Sequence, residues 1–62
     1  MMTEREVWVQ GGAILARRGD MSANYIIDEL SDVLDDAVAV EDWRRVAAAI
    51  DRITSALTHG PN

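Results

Sequence analysis

The chain contains no cysteine and no lysine, and it has only one histidine. Without cysteine it can form no disulfide, no thiolate nucleophile and no zinc–thiolate site. Without lysine, neither Schiff-base chemistry nor a Walker-type phosphate loop is available. A single histidine also excludes a histidine-rich metal cluster. We therefore expect a protein that is not an enzyme and that needs no cofactor and no metal.

Acidic residues outnumber basic ones: 11 Asp and Glu stand against six arginines, which gives a net charge of -5. Such a charge repels a polyanion on average, so we expect no direct nucleic-acid binding. The longest apolar stretch, residues 7–16, is interrupted by Gln10 and two glycines and falls short of the roughly 20 residues of a membrane span. We expect a single cytoplasmic domain, residues 1–62, with no membrane partner and no small-molecule ligand.

The first helix is predicted over residues 3–18. Thr3 and Glu6 have the spacing of a capping box, in which each side chain accepts a hydrogen bond from the other residue's backbone N–H. Gly19 follows two arginines and is suited to the left-handed conformation that ends many helices. Apolar or small residues recur at helical spacing along one side. They are Val7, Trp8, Gly11, Gly12, Ile14 and Leu15.

Two glycines interrupt the middle of this helix, Gly11 and Gly12, and each costs about 1 kcal/mol relative to alanine. One interpretation is a flat patch on which a bulky side chain such as Trp43 packs closely. The other is a helix that is merely weakened or bent. Substituting Gly12 by alanine separates the two, because only a filled contact would make the alanine variant less stable.

The second helix is predicted over residues 21–36, with Asp20 or Ser22 as its cap. The third is predicted over residues 40–58, with Gly60 and Pro61 as its stop signal. The apolar stripe of the second helix comprises Ala23, Ile26, Ile27, Leu30, Val33, Leu34 and Ala37. That of the third comprises Trp43, Val46, Ala47, Ile50, Ile53 and Leu57, with Asp42, Arg45, Ala49 and Arg52 outside it. Three amphipathic helices with short connections predict an all-α fold, a small antiparallel three-helix bundle.

Acidic side chains cluster in and after the second helix. Four of them share one face if that helix runs to residue 36: Asp28, Asp32, Asp35 and Asp36. Like charges at this spacing destabilise a helix by roughly 0.2–0.5 kcal/mol per pair, so a function is one explanation for them. The simpler explanation is a solvated face that keeps a small protein soluble. The functional hypothesis is an acidic inhibitor, similar to an antitoxin, that occupies the basic nucleic-acid-binding groove of a partner.

Two tryptophans in so short a chain indicate a contact surface, because exposed aromatic area often marks a protein interface. The alternative is that both rings belong to the core. The predicted protein-binding surface consists of Trp8, Gly12 and Trp43, rimmed by Arg17, Arg44 and Arg45. Its partner would be another protein or a second copy of the chain, and protein binding is the function that the sequence favours.

Dispersed positions along most of the chain resemble a family of very short bacterial helical proteins whose function is unknown. The resemblance rests on Glu6-Val7-Trp8, Arg17-Arg18-Gly19, Tyr25-Ile26 with Leu30, and Trp43-Arg44-Arg45-Val46-Ala47. Members of that family tend to have alanine-like residues at Gly11 and Gly12, a histidine at Arg18 and a glycine in the second turn. The resemblance implies an all-helical fold and no activity.

Overall fold

The structure is a computed structural model, and it describes residues 1–58. This part of the chain is all-helical, which confirms the predicted class. Helix α1 spans Glu4–Arg18, a 3₁₀ turn spans Gly19–Met21, α2 spans Ser22–Asp32 and α3 spans Ala37–Thr58. Within these residues, no helix combines the length and the apolar character needed to cross a membrane. The predicted stop signal at Gly60 and Pro61 lies outside the described residues.

The predicted capping box begins α1. The Glu6 backbone N–H donates to Thr3 Oγ1 over 3.1 Å, and the Thr3 backbone N–H donates to Glu6 Oε1 over 2.7 Å. The hydrogen bonds from Thr3, the backbone one first, lower the pKa of the Glu6 carboxyl. At the other end Gly19 has φ 51°, in the range that favours glycine, and its N–H donates to the Leu15 carbonyl. Both predicted ends of α1 are confirmed to within one residue.

Helices α1 and α3 pack side by side and run in the same direction. At their beginnings, the Met2 N–H donates to Asp42 Oδ1 over 3.1 Å and Arg45 Nη1 donates to the Met2 carbonyl over 2.7 Å. Further along both helices, a Cβ at Gly11 would lie 3.4 Å from Ala49 Cβ. A methyl group at Gly11 would therefore already be in contact with α3.

Helix α2 ends four residues earlier than predicted, and α3 begins three residues earlier. The cause is Asp36, whose Oδ1 accepts hydrogen bonds from the N–H groups of Val38 and Ala39, both over 3.1 Å. These bonds satisfy N–H groups that the first turn of a helix leaves free, so Asp36 begins a new helix instead of continuing the old one. Leu34 therefore lies in the turn between α2 and α3 and is 72% exposed.

The predicted cap of α2 is wrong. Neither Asp20 nor Ser22 accepts a capping hydrogen bond, and the residue at the cap position is Met21. Ser22 is buried, and its hydroxyl donates instead to the Gly19 carbonyl over 2.8 Å. Helix α2 thus continues from the 3₁₀ turn without a side-chain cap of its own.

The core is small and lies mainly where α1 meets α3. Val46 is fully buried, at 0% exposure. Two details of the predicted face of α3 are wrong: Ala49, expected outside it, is buried at 4% exposure, and Leu57, expected on it, is 76% exposed. Ala49 is buried because α1 packs against it at Gly11. Leu57 is exposed because it lies in the last turn of α3, where every residue is exposed. The buried hydrophobic residues are Val7, Ile14, Ile26, Val46 and Ala49.

Candidate protein-binding surfaces

An open apolar groove of about 550 Å³ lies between α2 and α3, and we call it the α2–α3 groove. Ile27 lines it and is nevertheless 60% exposed. A branched aliphatic side chain in this position leaves apolar surface in water that a partner would bury. The apolar side chains that line the groove include Leu15, Ala23, Ile26, Ile27, Leu30, Ala47 and Ile50.

The charged residues that line the α2–α3 groove are both acidic. They are Asp20, in the turn between α1 and α2, and Asp51, on α3. Because α1 and α3 run in the same direction, the turn that follows α1 lies beside the later part of α3. Both carboxylates are exposed. The groove therefore offers an apolar floor with negative charge toward its Asp20 end.

A second, smaller depression of about 210 Å³ lies between α1 and α3. We call it the Trp8 face. Trp8 lines it and is 39% exposed, and Arg45 and Arg52 line the same depression beside Ala48. Its remaining lining residues are Glu4, Val7 and Ala49. An exposed aromatic ring beside two guanidinium groups is a common composition for a protein interface.

Trp43 does not pack against the two glycines. A Cβ at Gly12 would meet nothing within 4 Å, and the atoms nearest to a Cβ at Gly11 belong to α3 residues other than Trp43. The Trp43 ring instead lies edge-on to Tyr25, with centroids 6.1 Å apart and an interplanar angle of 76°. The Arg18 guanidinium carbon lies 3.9 Å from the centroid of the same tyrosine ring. This stack joins all three helices, so Trp43 has a structural contact of its own.

The structure brings together only part of the predicted protein-binding surface. Trp8 and Arg45 line one depression, whereas Trp43 faces Tyr25. Arg45 is partly engaged, because it lies 3.5 Å from Asp42 and donates to the Met2 carbonyl. The other predicted members, Gly12, Arg17 and Arg44, line neither of the two depressions, and both of these arginines are exposed.

The predicted acidic stripe is not one helical face. Asp28 and Asp32 lie on α2, but the helix ends at Asp32 and leaves Asp35 in the turn. Asp36 caps α3, so its carboxylate has a structural role. In residues 1–58, no three side chains of the metal-binding types are grouped so that they could hold an ion.

The sequence interpretation missed the α2–α3 groove. The available signal was the width of the apolar stripe on the second helix, which includes the adjacent residues Ile26 and Ile27. A helix can bury only part of so wide a stripe against a single neighbour. In the structure Ile26 is buried at 4% exposure and Ile27 stays at the surface.

Comparisons with protein-family models, with curated proteins and with solved structures gave no match for this chain. The resemblance to the short bacterial helical family therefore stays a prediction.

Proposed function

We propose that this chain is a small non-enzymatic protein-binding module whose α2–α3 groove receives an amphipathic helix of a protein partner. One observation carries the proposal: Ile27 is 60% exposed on the side of an apolar groove of about 550 Å³. Helix-in-groove binding uses apolar anchors spaced three or four residues apart, which pack into an apolar groove.

The charges of the groove define the chemistry of that partner helix. Asp20 and Asp51 lie along an otherwise uncharged lining, and the whole chain has a net charge of -5. A helix with arginine or lysine next to its apolar anchors would be attracted to this surface, and an acidic helix would be repelled. The proposed partner segment is therefore apolar on one side with basic residues at its edge.

Site-specific photocrosslinking in cells tests this proposal. A benzoylphenylalanine at position 27 places the reactive group in the groove, and one at the neighbouring exposed position 28 is the matched control. We expect a discrete protein adduct from position 27 and none from position 28. Ala23→Glu should abolish that adduct, because Ala23 is exposed and lines the groove. Equal adducts from both positions, or no adduct from position 27, would contradict the proposal.

The acidic inhibitor is the second candidate. It is supported by Asp28, Asp32 and Asp35, which are all exposed in the second half of α2 or in the turn that follows. A complex that depends on these carboxylates weakens steeply with salt, because exposed charges are screened within about 8–10 Å. A complex in the apolar groove should change little. A steep loss of partner binding in the Asp32→Arg variant would favour the inhibitor.

We also propose that the three helices form an antiparallel bundle in a single cytoplasmic domain related to the short bacterial helical family. The bundle is supported by α1 and α3, which run in the same direction and are linked through α2. The family and the compartment rest on the sequence alone.

A further inference from the structure

We propose that the partner received by the α2–α3 groove is the Trp8 face of a second copy of this chain. This inference rests on the proposed function of the α2–α3 groove, and it fills the groove with the partly exposed Trp8 and its flanking arginines instead of a free amphipathic helix. Copies would join head to tail, each contributing its groove to one neighbour and its Trp8 face to another.

The two surfaces are complementary in chemistry. The α2–α3 groove combines apolar side chains with the carboxylates of Asp20 and Asp51. The Trp8 face combines a partly exposed indole with the guanidinium groups of Arg45 and Arg52. Tryptophan and arginine are the residues that most often dominate binding energy at interfaces. Glu4 lines the same face and Asp42 pairs with Arg45, so the positive character of the face depends mainly on the exposed Arg52.

The positions of the two surfaces on α3 allow one copy to use both. Ala47 and Asp51, four residues apart, line the α2–α3 groove, and Ala48 and Arg52, also four apart, line the Trp8 face. Ala48 comes one position after Ala47, and Arg52 comes one position after Asp51. One position corresponds to a rotation of about 100° around an α-helix, so the two surfaces lie on neighbouring sides of α3. A contact between two different surfaces is heterologous, so it leaves a free groove at one end and a free Trp8 face at the other.

The net charge of -5 on each copy opposes association, so we expect a weak complex that forms at high protein concentration.

Sedimentation of the purified chain over a wide concentration range tests the inference. We expect the mass to rise above 6.8 kDa with concentration. Ile27→Asp in the groove and Arg52→Glu on the Trp8 face should each raise the dissociation constant by about tenfold or more. Their matched controls, Val9→Asp and Arg17→Glu, make the same charge changes at exposed residues outside both surfaces and should leave it unchanged.

Mixing the two interface variants gives the decisive result. Each variant retains one intact surface, so an equimolar mixture of Ile27→Asp and Arg52→Glu should form dimers and nothing larger. Failure of the mixture to dimerise would overturn the head-to-tail contact, as would equal weakening by Arg17→Glu and Arg52→Glu. Loss of association in Ile27→Asp alone would indicate groove-to-groove pairing and would also overturn it. A wild-type chain that stays monomeric while position 27 crosslinks to another protein would refute this inference and leave the proposed function standing.

Discussion

The contact between α1 and α3 differs sharply from the contact between α2 and α3. Where α1 meets α3, a Cβ at Gly11 would already lie 3.4 Å from Ala49 Cβ, and Val46 is completely buried. Where α2 meets α3, an open groove remains and Ile27 is mostly exposed. The same long helix thus has a tighter contact with α1 and a more open one with α2.

The ends of the helices show the same difference. Helix α1 begins with a complete capping box and α3 begins with the Asp36 cap, whereas α2 has no side-chain cap. With 11 residues, α2 is also shorter than the roughly 12–15 residues at which an isolated helix becomes even marginally stable. Helix α2 therefore depends on its partners for stability, and the surface it leaves open is the one that we propose as a binding site.

The largest expected difference in stability is between a residue of the closed contact and one of the open groove. Val46→Ala removes two buried carbons and should lower the free energy of unfolding by about 2 kcal/mol, from lost burial and the cavity that remains. Ile27→Ala removes three carbons, yet it should cost less than about 1 kcal/mol because most of the side chain is already in water. Thermal and urea unfolding of the monomer would measure both.

An equal loss of stability in these two variants would contradict the comparison, because it would mean that Ile27 is buried in solution. A smaller loss of stability in Val46→Ala than in Ile27→Ala would mean that Ile27 is the better packed of the two residues. Measurement at low protein concentration keeps association of the chains from adding to either value.

Loss of a helix cap should give the next largest change in the free energy of unfolding. Asp36→Ala removes the acceptor for two backbone N–H groups and should cost about 1 kcal/mol. Asp35→Ala, one residue earlier in the turn, makes the same chemical change and should cost almost nothing, because Asp35 forms none of the side-chain hydrogen bonds of that turn. Urea unfolding of the two variants gives the difference directly. A loss in Asp35→Ala as large as that in Asp36→Ala would show that charge, not capping, matters in this turn.

The helical class and the ends of α1 could be predicted from the sequence because local signals agreed there. The Thr3–Glu6 spacing and Gly19 each fix a chain end by hydrogen bonding or backbone conformation, without help from distant residues. At residues 33–36 two local signals disagreed. Apolar periodicity continued through Leu34 and Ala37, but the Asp36 side chain offered the backbone better hydrogen bonds, and capping prevailed over periodicity.

The candidate site was harder to predict because it depends on which helices meet and how closely. Trp8 and Arg45 were both predicted, and they line one depression because α1 and α3 run in the same direction. Trp43 was predicted beside them, but its ring contacts Tyr25. Nothing local in the sequence specifies that pairing. The exposure of Ile27 could not be predicted either, because periodicity identifies an apolar stripe without showing how much of it a neighbouring helix covers.

The smallest expected effect on stability distinguishes Gly11 from Gly12, the two central glycines of α1. A methyl group at Gly12 would meet nothing within 4 Å, so Gly12→Ala should stabilise the chain by about 0.5–1 kcal/mol through helix propensity alone. The same change at Gly11 places a Cβ 3.4 Å from Ala49 Cβ and 3.5 Å from Ile50 Cγ1, at the limit of comfortable contact. Gly11→Ala should therefore raise the free energy of unfolding by less, because the added methyl group would press against α3. Thermal unfolding of both variants measures the difference. A larger gain at Gly11 than at Gly12 would mean that the close contact between these helices is looser than the contact distances indicate.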